Sequence, residues 1–568
     1  MPKIDVNETL FFELLGETMD AQALEAALPV AKAELDGWVT EGAPEDRVIK
    51  IELNDTNRPD LWSTAGLARQ LKSYRSGKLP TYHFFSSEQN TREAEYTIKV
   101  EKSVEAIRPY LAAFVVSGKA ISDAMLRDMI QTQEKLCWNF GRKRRSVSMG
   151  LYRIELIKWP VRYYASKPEA ASFVPLAMEQ KLNLKEILQQ HPKGKEYGFI
   201  LEGNAEYPLL SGADQRILSF PPIINSNDLG AVQTGDTDLL VEFTGSDMMS
   251  ICLSANIVAC DFADAGYTVK PVQVDYEYDT PFGRSVVFPY YFQVPATVDA
   301  GRVTKLLGDS ISPELMQAAL YRMGMSSDIH GQYVRVMPPP YRNDFLHAVD
   351  LVEDVMIGRG MDTFLPERPH DFTIGRLTPI ELLSRRAKEL FVGLGYQEMI
   401  YNYLGSRRDY LQRMNLDDTG VVRIANPMTE NYEIVRPSIL PCLLQSEAVS
   451  SKAPYPHRIF ECGKVAFLDS QANYGSVTRQ RIGFLSAHPA ADFNEAASLL
   501  SAVLYFLNSE YAVEESDDPR FIPGRQATLL LAGKALGVFG EVHPSVLENW
   551  GINMPAVCGE FDLETLLG

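Results

Sequence analysis

Four carboxylates fall within eleven positions of one short segment, and their spacing raises the question of shared chemistry. The segment PPPYRNDFLHAVDLVEDVMIGRG occupies positions 338–360 and contains Asp344, Asp350, Glu353 and Asp354. On a helix the last three stand at i, i+3 and i+4, so their side chains share one face. Because like charges at that spacing destabilise a helix, three interpretations remain open: a solvated acidic face, a basic partner, or a bound cation.

The element that must position these carboxylates is a helix that begins after the prolines. Proline lacks the amide donor and restricts the preceding residue, so the helix cannot include the stretch before Tyr341. Apolar residues then recur at helical spacing, and Asn343 or Asp344 suits an N-cap. Carboxylate oxygens are the hard ligands that Mg²⁺ takes, usually with waters retained. We interpret His347 as a capping or packing residue.

A second group of polar residues lies on a short apolar strand. In LLVEFTGSD, positions 239–247, strand alternation places Leu240, Glu242 and Thr244 on one face. A carboxylate and a hydroxyl beside a glycine turn suit the wall of a polar pocket. They equally suit a solvent-facing strand, and the pattern alone does not decide between the two.

The bulk composition limits the classes of protein to consider. The chain has 568 residues, 45% of them hydrophobic and 23% charged, which is typical of a globular protein with several domains. The net charge of −19 argues against a surface that coats nucleic acid, although GRKRRS at 141–146 is one dense cationic cluster. Such a cluster is typical of a solvated turn or of a contact with phosphate or an acidic partner.

Hydropathy and cysteine usage indicate a cytoplasmic protein with no membrane partner. There is no apolar run of about eighteen residues, and the N-terminal segment lacks the features of an export signal. The six cysteines are scattered without a C-x-x-C pair, so we expect reduced thiols and neither a zinc site nor a disulfide framework.

The order of strand-like and helix-like stretches predicts a multidomain α+β protein. We expect four domains: 1–92, 93–275, 276–368 and 369–568. The third is a small α+β unit that ends in the acidic helix, and the last is an antiparallel sheet with helices. The polar stretch 268–285, which contains proline and glycine, is typical of a linker.

Eight separate motifs, in order, closely resemble the β-subunit of phenylalanyl-tRNA synthetase in its shorter archaeal and eukaryotic-type form. Because the motifs run nearly end to end, the resemblance is specific. The motifs are NRPDLWSTAGLAR (57–69), IRPYLAAFVV (107–116), QEKLCWNFGRKRRSVSMG (133–150), LKEILQQHPKGKEYG (184–198), LSFPPIINS (218–226), YRNDFLHAVDLVEDV (341–355), NPMTENYEIVRPSILPCLL (426–444) and FGEVHPSVLENWGI (539–552).

The resemblance implies an (αβ)₂ heterotetramer in which the α-subunit binds ATP, activates phenylalanine and charges tRNA(Phe). It also implies that Asp344, Asp350, Glu353 and Asp354 bind Mg²⁺ shared with the α-subunit. Residues 369–568 would then be a class II synthetase-like module without residues that catalyse aminoacylation. The sequence supports this, since Arg458 stands in a motif-2-like strand with altered surroundings and the terminal AVCGEFDLETLLG contains no arginine.

The resemblance further implies an editing domain within 93–275. A phenylalanine pocket rejects tyrosine by only about a hundredfold, so hydrolysis of mischarged tyrosyl-tRNA(Phe) is the expected remedy. By resemblance Glu242, Thr244 and Asn225 line the editing pocket, with Leu210 and Ser219 as further candidates for its wall. In that pocket Glu242 would hold the hydroxyl of tyrosine.

Two positions near that pocket depart from the family pattern. Cys137 stands where we expect histidine, and Leu151-Tyr152 stand where we expect His-Asp. These departures keep open a non-editing scaffold or tRNA-binding paralogue. A freestanding metal-dependent hydrolase is less favoured, because no histidine pairs with the acidic helix at ligand spacing.

Overall fold

The computed structural model describes residues 2–55, 57–85, 94–418 and 420–567. The predicted domain boundary at 92/93 lies outside these residues. The chain forms two compact units, Met1–Glu367 and Arg368–Gly568, and each is described by itself. The fold is of the mixed α and β, multidomain class that the sequence predicts. Within the described ranges, no helix combines the length and apolar character that a membrane crossing requires.

The N-terminal part of the first unit is a three-stranded sheet in the order β1-β3-β2, covered by helices. The predicted helix near Ser63 is confirmed: the Ser63 hydroxyl accepts from the Gly66 amide at 2.9 Å and begins α3. The elements are β1 (Lys3–Asn7), α1 (Glu8–Leu15), α2 (Ala21–Ala27), β2 (Ala33–Val39), β3 (Val48–Leu53) and α3 (Thr64–Ser76).

A ten-stranded mixed sheet follows, in the order β12-β11-β10-β7-β4-β14-β5-β13-β6, with β15 paired to β14. Strands β5 and β13 are buried along almost their whole length, and α7 packs on them. The elements are β4 (Tyr96–Val100), β5 (Tyr110–Ser117), α4 (Asp123–Lys135), β6 (Ser148–Arg153), β7 (Val161–Ser166), β8 (Ser172–Phe173), β9 (Leu182–Asn183), α5 (Leu184–Gln190), α6 (Pro192–Tyr197), β10 (Tyr207–Ser211), β11 (Ile217–Phe220), β12 (Ile224–Asn225), β13 (Leu239–Gly245), α7 (Met248–Asp264), β14 (Thr268–Tyr276) and β15 (Ser285–Phe288).

The predicted linker at 268–285 is wrong for its first half. Strand β14 lies between β4 and β5, parallel to the first and antiparallel to the second. Val272, Val274 and Tyr276 alternate into the core, while polar side chains take the positions between them. Pro271 and the charged residues obscured that alternation in the sequence.

The first unit ends in a small α+β region whose sheet has the order β16-β18-β17. Its acidic helix, α10, begins at Ala348, so the predicted N-cap at Asn343 or Asp344 is wrong and His347 occupies that position. The elements are β16 (Ala296–Asp299), α8 (Ala300–Leu307), α9 (Pro313–Arg322), β17 (Ser326–His330), β18 (Tyr333–Met337) and α10 (Ala348–Arg359).

The second unit is built on a seven-stranded sheet in the order β19-β22-β23-β27-β26-β25-β24. All pairings are antiparallel except β19 with β22, so the predicted antiparallel sheet with helices is confirmed. The elements are α11 (Pro379–Gly393), β19 (Gln397–Glu398), β20 (Leu404–Gly405), α12 (Arg407–Tyr410), β21 (Ile434–Val435), α13 (Leu440–Val449), β22 (His457–Leu468), β23 (Ser476–Ala487), α14 (Phe493–Phe506), β24 (Ala512–Glu515), β25 (Phe521–Leu531), β26 (Lys534–Val542), α15 (Pro544–Trp550) and β27 (Ala556–Asp562).

A close approach of α9 and α10 gives a test of this packing. A Cβ atom at Gly358 would lie 2.1 Å from the carbonyl oxygen of Ala319, which belongs to the backbone and cannot rotate away. Gly358→Ala should therefore separate the helices, destabilise the protein by about 1–3 kcal/mol and lower its thermal unfolding midpoint. Gly393→Ala, also helical but with open space around it, is the matched control and should be neutral or stabilising. Equal stability of Gly358→Ala and the parent would contradict the close approach.

Candidate functional site

A cavity of about 470 Å³ opens beside α4 and β6 in the ten-stranded sheet. Its polar wall includes Ser219, Asn225 and Glu242, three of the five residues expected in the pocket. Both the volume and the largely apolar lining suit a site for a small organic group held by a few polar contacts. The apolar part of the wall is formed by Met129, Ile130, Met149, Leu151, Ile224 and Val232.

Strand register explains why the three polar residues meet. Ser219 on β11 lies directly opposite Asn225 on β12, and the turn between these strands contains Pro221 and Pro222. Glu242 lies opposite Gly150 on β6. The local fold therefore gathers two adjacent strand ends and one carboxylate from distant parts of the chain.

Glu242 is a buried carboxylate with one occupied and one free oxygen. Its side chain lines the cavity at 2% residual exposure, and Oε1 accepts from the Tyr152 hydroxyl at 2.8 Å. Oε2 is buried and has no hydrogen-bond partner among the described residues. Burial raises the pKa of Glu242 to about 7, against the opposing effects of the Tyr152 hydrogen bond and the Arg108 charge. A ligand group that donates a hydrogen bond would satisfy Oε2.

Tyr152, which the sequence marked only as a departure, contacts all three polar residues. Besides Glu242, its hydroxyl lies 2.8 Å from Ser219 Oγ and 3.4 Å from Asn225 Oδ1. Tyr152 is fully buried and stands on β6 opposite Leu240, on the same side of the sheet as Glu242. The pairing of β6 with β13 was not predicted from the sequence. Once the two strands are paired, alternation on both places Tyr152 and Glu242 together.

The other two expected pocket residues lie away from the cavity wall. Thr244 is two residues beyond Glu242, about 7 Å along the strand. Its hydroxyl accepts from Arg108 Nε at 3.0 Å and lies 2.9 Å from Ser148 Oγ. Leu210 pairs with Ser219 in the sheet register, but its side chain is fully buried in the core. Thr244 and Leu210 therefore lie next to residues that line the cavity, Ser148 and Ser219 respectively.

A second, larger cavity of about 1360 Å³ adjoins the first, and the two share Glu134, Arg144 and Lys193 as lining residues. Trp138, on the π-helical turn Leu136–Phe140, lines it with 44% exposure. Cations outnumber carboxylates on its wall. The cations are Lys3, Lys135, Arg142, Arg144 and Lys193, and the carboxylates are Glu134, Glu196 and Asp247.

The basic cluster 141–146 lies beside both cavities, and its Arg144 lines both of them. Arg142, Lys143 and Arg144 are three consecutive residues with left-handed backbone, at φ of 50°, 56° and 66°. Residues other than glycine rarely adopt this conformation, and such strain is concentrated at functional sites. The Arg144 guanidinium donates to the carbonyls of Pro222 and Ile223, each at 3.0 Å, and so anchors the turn that carries Asn225.

Cys137, the other position at which a different residue is expected, is buried. Burial raises the pKa of its thiol to about 11, so it is protonated at neutral pH. Its place in the π-helical turn is structural, since its carbonyl accepts from the Arg144 amide at 2.8 Å.

The four carboxylates of the acidic segment do not converge, contrary to expectation. Arg342 is buried and binds Asp344 at 2.6 Å and Asp354 at 2.7 Å. Asp350 folds back on the start of α10 and accepts from the amides of Leu346 and His347. Glu353 forms an ion pair with Lys32 at 2.9 Å.

This arrangement does not fit a magnesium site formed by this chain. Three of the four carboxylates are paired with Arg342 or Lys32 and the fourth caps a helix, so the four do not offer a free set of oxygen ligands. Across the described ranges, no group of three or more His, Cys, Asp or Glu side chains is arranged to hold a metal ion. Of the three interpretations left open by the sequence, the structure shows basic groups beside the acidic residues, and these are Arg342 and Lys32 of the same chain.

In the second unit, Arg458 is engaged by the protein. It donates to Glu495 at 3.1 Å, and Glu495 also accepts from His488 at 2.6 Å and from Ser486 at 2.9 Å. The Arg458 guanidinium is thus paired within this unit.

Comparisons with known proteins identify the family of this chain. Residues 365–563 match the family described as the phenylalanyl tRNA synthetase beta chain CLM domain, and residues 296–361 match the tRNA synthetase B5 domain. The chain is 46% identical over 604 residues to the phenylalanine–tRNA ligase beta subunit of Treponema pallidum subsp. pallidum, and 44% identical over 570 residues to that of Borrelia hermsii. Both alignments cover 100% of each chain.

A solved structure is also similar. The crystal structure of an N-terminal fragment of the phenylalanyl-tRNA synthetase beta-subunit from Pyrococcus horikoshii matches with a TM-score of 0.58 and 32% identity, covering 63% of this chain and 100% of that one. Fold and relatives together define a subunit of an aminoacyl-tRNA synthetase. The chain belongs to the phenylalanine–tRNA ligase beta subunit family, and the resemblance found in the sequence is confirmed.

The raised pKa of Glu242 predicts a pH dependence of stability. The ordinary value of 4.5 rises to about 7 in the fold, so the native state keeps a proton that the unfolded chain has already lost. Stability should therefore fall as pH rises between these values and level off above them. Relative to Glu242→Gln, the parent should lose roughly 2–3 kcal/mol of unfolding free energy between pH 5 and pH 8. Urea denaturation at both pH values measures this difference. The same pH response in parent and variant would contradict the shift, and the exposed Glu202→Gln is the control.

Proposed function

We propose that this chain is the β-subunit of a phenylalanine–tRNA ligase and that its cavity hydrolyses mischarged tyrosyl-tRNA(Phe). The observation that carries the proposal is the free Oε2 of Glu242, a buried acceptor in a largely apolar cavity. The phenol of tyrosine donates a hydrogen bond to that oxygen. Phenylalanine leaves it unpaired, and an unpaired buried polar group costs about 1–3 kcal/mol.

This site favours the amino acid that carries a hydroxyl, a preference that an apolar activation pocket cannot provide. An apolar pocket rejects an added hydroxyl by only about a hundredfold, whereas a site with a buried hydrogen-bonding group strongly rejects the analogue that lacks the hydroxyl. Hydrolysis adds one water to the carbonyl carbon of the ester, and the bond from that carbon to the ribose oxygen breaks. Tyrosine leaves as the free acid, and the ribose oxygen takes a proton to restore the terminal hydroxyl of the tRNA.

The adjoining cationic cavity supports a substrate that is attached to nucleic acid. Single-stranded nucleic acid binds where cations track its phosphates and aromatic faces stack on its bases. Lys135 and Arg142 are placed for phosphates, and the exposed ring of Trp138 is placed for a base. When the aminoacyl group occupies the smaller cavity, the terminal nucleotides of the tRNA lie in the larger one.

Aminoacylation itself belongs to the partner subunit in this proposal. ATP and phenylalanine bind the α-subunit of an (αβ)₂ heterotetramer in the cytoplasm, and residues 369–568 serve as a class II-like assembly module without catalytic residues. The pairing of Arg458 with Glu495 supports this assignment. The expected Mg²⁺ on Asp344, Asp350, Glu353 and Asp354 has no fitting ligand set here, and no step of the proposal uses it.

A non-editing scaffold is the alternative, favoured by the Tyr152 hydroxyl that already occupies one oxygen of Glu242. Deacylation assays separate the two functions. A scaffold binds the α-subunit and tRNA but leaves tyrosyl-tRNA(Phe) intact.

The first prediction concerns the pocket. The heterotetramer should deacylate tyrosyl-tRNA(Phe) faster than phenylalanyl-tRNA(Phe), and Glu242→Ala should reduce that preference roughly ten- to a hundredfold because the phenol loses its acceptor. Asn225→Ala should slow tyrosyl hydrolysis by disturbing the turn that frames the cavity. Phenylalanine charging, measured on the same preparations, should survive in both variants. Unchanged tyrosyl hydrolysis in both would place the site elsewhere, and no hydrolysis by the parent would favour the scaffold.

The second prediction concerns the cationic cavity. Lys135→Ala with Arg142→Ala should raise KM for tyrosyl-tRNA(Phe) deacylation, leave kcat nearly unchanged and reduce the salt dependence of binding, since each lost phosphate contact lowers the salt slope by about one. Arg127→Ala, an exposed cation on α4 outside the cavity, is the matched control. An identical KM and salt slope in the double variant and the control would show that this cavity does not bind the nucleic acid.

A further inference from the structure

We propose that Tyr152 is a specificity-determining positioning residue, which holds Glu242 so that one carboxylate oxygen is reserved for the substrate's hydroxyl. The inference rests on the editing function proposed above and assigns a role to a position where this chain departs from its family pattern. Three distances carry it: the Tyr152 hydroxyl lies 2.8 Å from Glu242 Oε1, 2.8 Å from Ser219 Oγ and 3.4 Å from Asn225 Oδ1.

Donor counting fixes the direction of these hydrogen bonds. A phenol has one proton to donate and two acceptor positions, whereas an ionised carboxylate only accepts. When Glu242 is ionised, the Tyr152 proton therefore goes to Glu242 Oε1, and the phenol oxygen accepts from the Ser219 hydroxyl. Oε1 is then occupied by the protein, and Oε2 alone is left for a donor from the substrate.

The backbone of β6 makes room for this contact. Gly150 lies opposite Glu242 in the register and two residues before Tyr152. A Cβ atom at position 150 would lie 2.3 Å from the Tyr152 hydroxyl and 2.7 Å from Glu242 Oε1. A side chain at position 150 would therefore have to displace the Tyr152 hydroxyl or the Glu242 carboxylate, and glycine leaves both in place.

Tyr152 also affects the pKa of Glu242. Besides burial, the Tyr152 hydroxyl and the charge of Arg108, which precedes β5, set the pKa of Glu242. Cys137 in the π-helical turn and Tyr163 on β7 face the same carboxylate, and besides burial, Glu242 raises the pKa of both. Burial raises the pKa of Tyr152 well above its ordinary value, so its hydroxyl stays a donor at neutral pH. Since that hydrogen bond lowers the pKa of Glu242, removing it leaves the carboxylate neutral up to a higher pH.

A pH profile of selectivity tests this role. Charged hydrogen bonds are stronger than neutral ones, so the preference for the tyrosyl ester should grow as Glu242 ionises. The heterotetramer is assayed for kcat/KM with tyrosyl- and phenylalanyl-tRNA(Phe) across pH 5.5–9. In Tyr152→Phe the preference at pH 7 should fall about tenfold, and the midpoint of its rise should move to higher pH. Phenylalanine charging, measured on the same samples, reports assembly.

Two further variants keep the proposal testable. Tyr163→Phe is the matched control: it also removes a buried hydroxyl, one that donates to the Arg108 carbonyl at 2.9 Å, and should leave the midpoint unchanged. Replacement of Tyr152 by 3-fluorotyrosine keeps the shape and strengthens the donor, so the midpoint should move to lower pH even if Tyr152→Phe does not fold.

The outcomes separate this inference from the function on which it rests. No tyrosyl hydrolysis by the parent overturns both. Selective hydrolysis by the parent, with the parental midpoint retained in the Tyr152 variants, leaves the editing function standing and overturns the role of Tyr152.

Discussion

Burying a carboxylate costs free energy unless hydrogen bonds and cations compensate it, and Glu242 receives only part of that compensation. The Tyr152 hydroxyl binds one oxygen, the Arg108 charge acts from nearby, and the other oxygen has no partner among the described residues. The order of strands β5, β13 and β6 in the sheet creates this state by holding Glu242 between two buried neighbours. The free acceptor in the cavity and the predicted pH dependence of stability both follow from that one incompletely satisfied group.

In the acidic segment, by contrast, an arginine compensates the buried carboxylates. Asp344 and Asp354 are also buried, but both bind the Arg342 guanidinium, and the pair is complete within the chain. Fully paired buried charges fix a local structure and leave no affinity for a ligand. The contrast explains why Asp344 and Asp354 have a structural role while a single carboxylate on a strand marks the candidate site.

How far the sequence predicts this structure depends on the range of the interactions involved. Alternation along 239–247 places Glu242, and the cap at Ser63 places α3, because both are local patterns. The carboxylates of the acidic segment do not converge, because Arg342, Lys32 and the amides at the start of α10 bind them separately. Helical spacing carries no information about such partners. The role of Tyr152 was missed for a related reason: only the pairing of β6 with β13 brings it to Glu242, ninety residues away. Strand β14 was hidden by Pro271 and by polar residues between its buried positions.

The most direct measurement is a crystal structure of the heterotetramer with a non-hydrolysable 3′-tyrosyl-adenosine analogue. The account predicts the tyrosine ring in the smaller cavity, with its hydroxyl within about 2.5–3.0 Å of Glu242 Oε2, the Tyr152 contact to Oε1 retained and the adenosine toward Trp138. A tyrosine hydroxyl that points to solvent, or that displaces Tyr152 from Glu242, would contradict it.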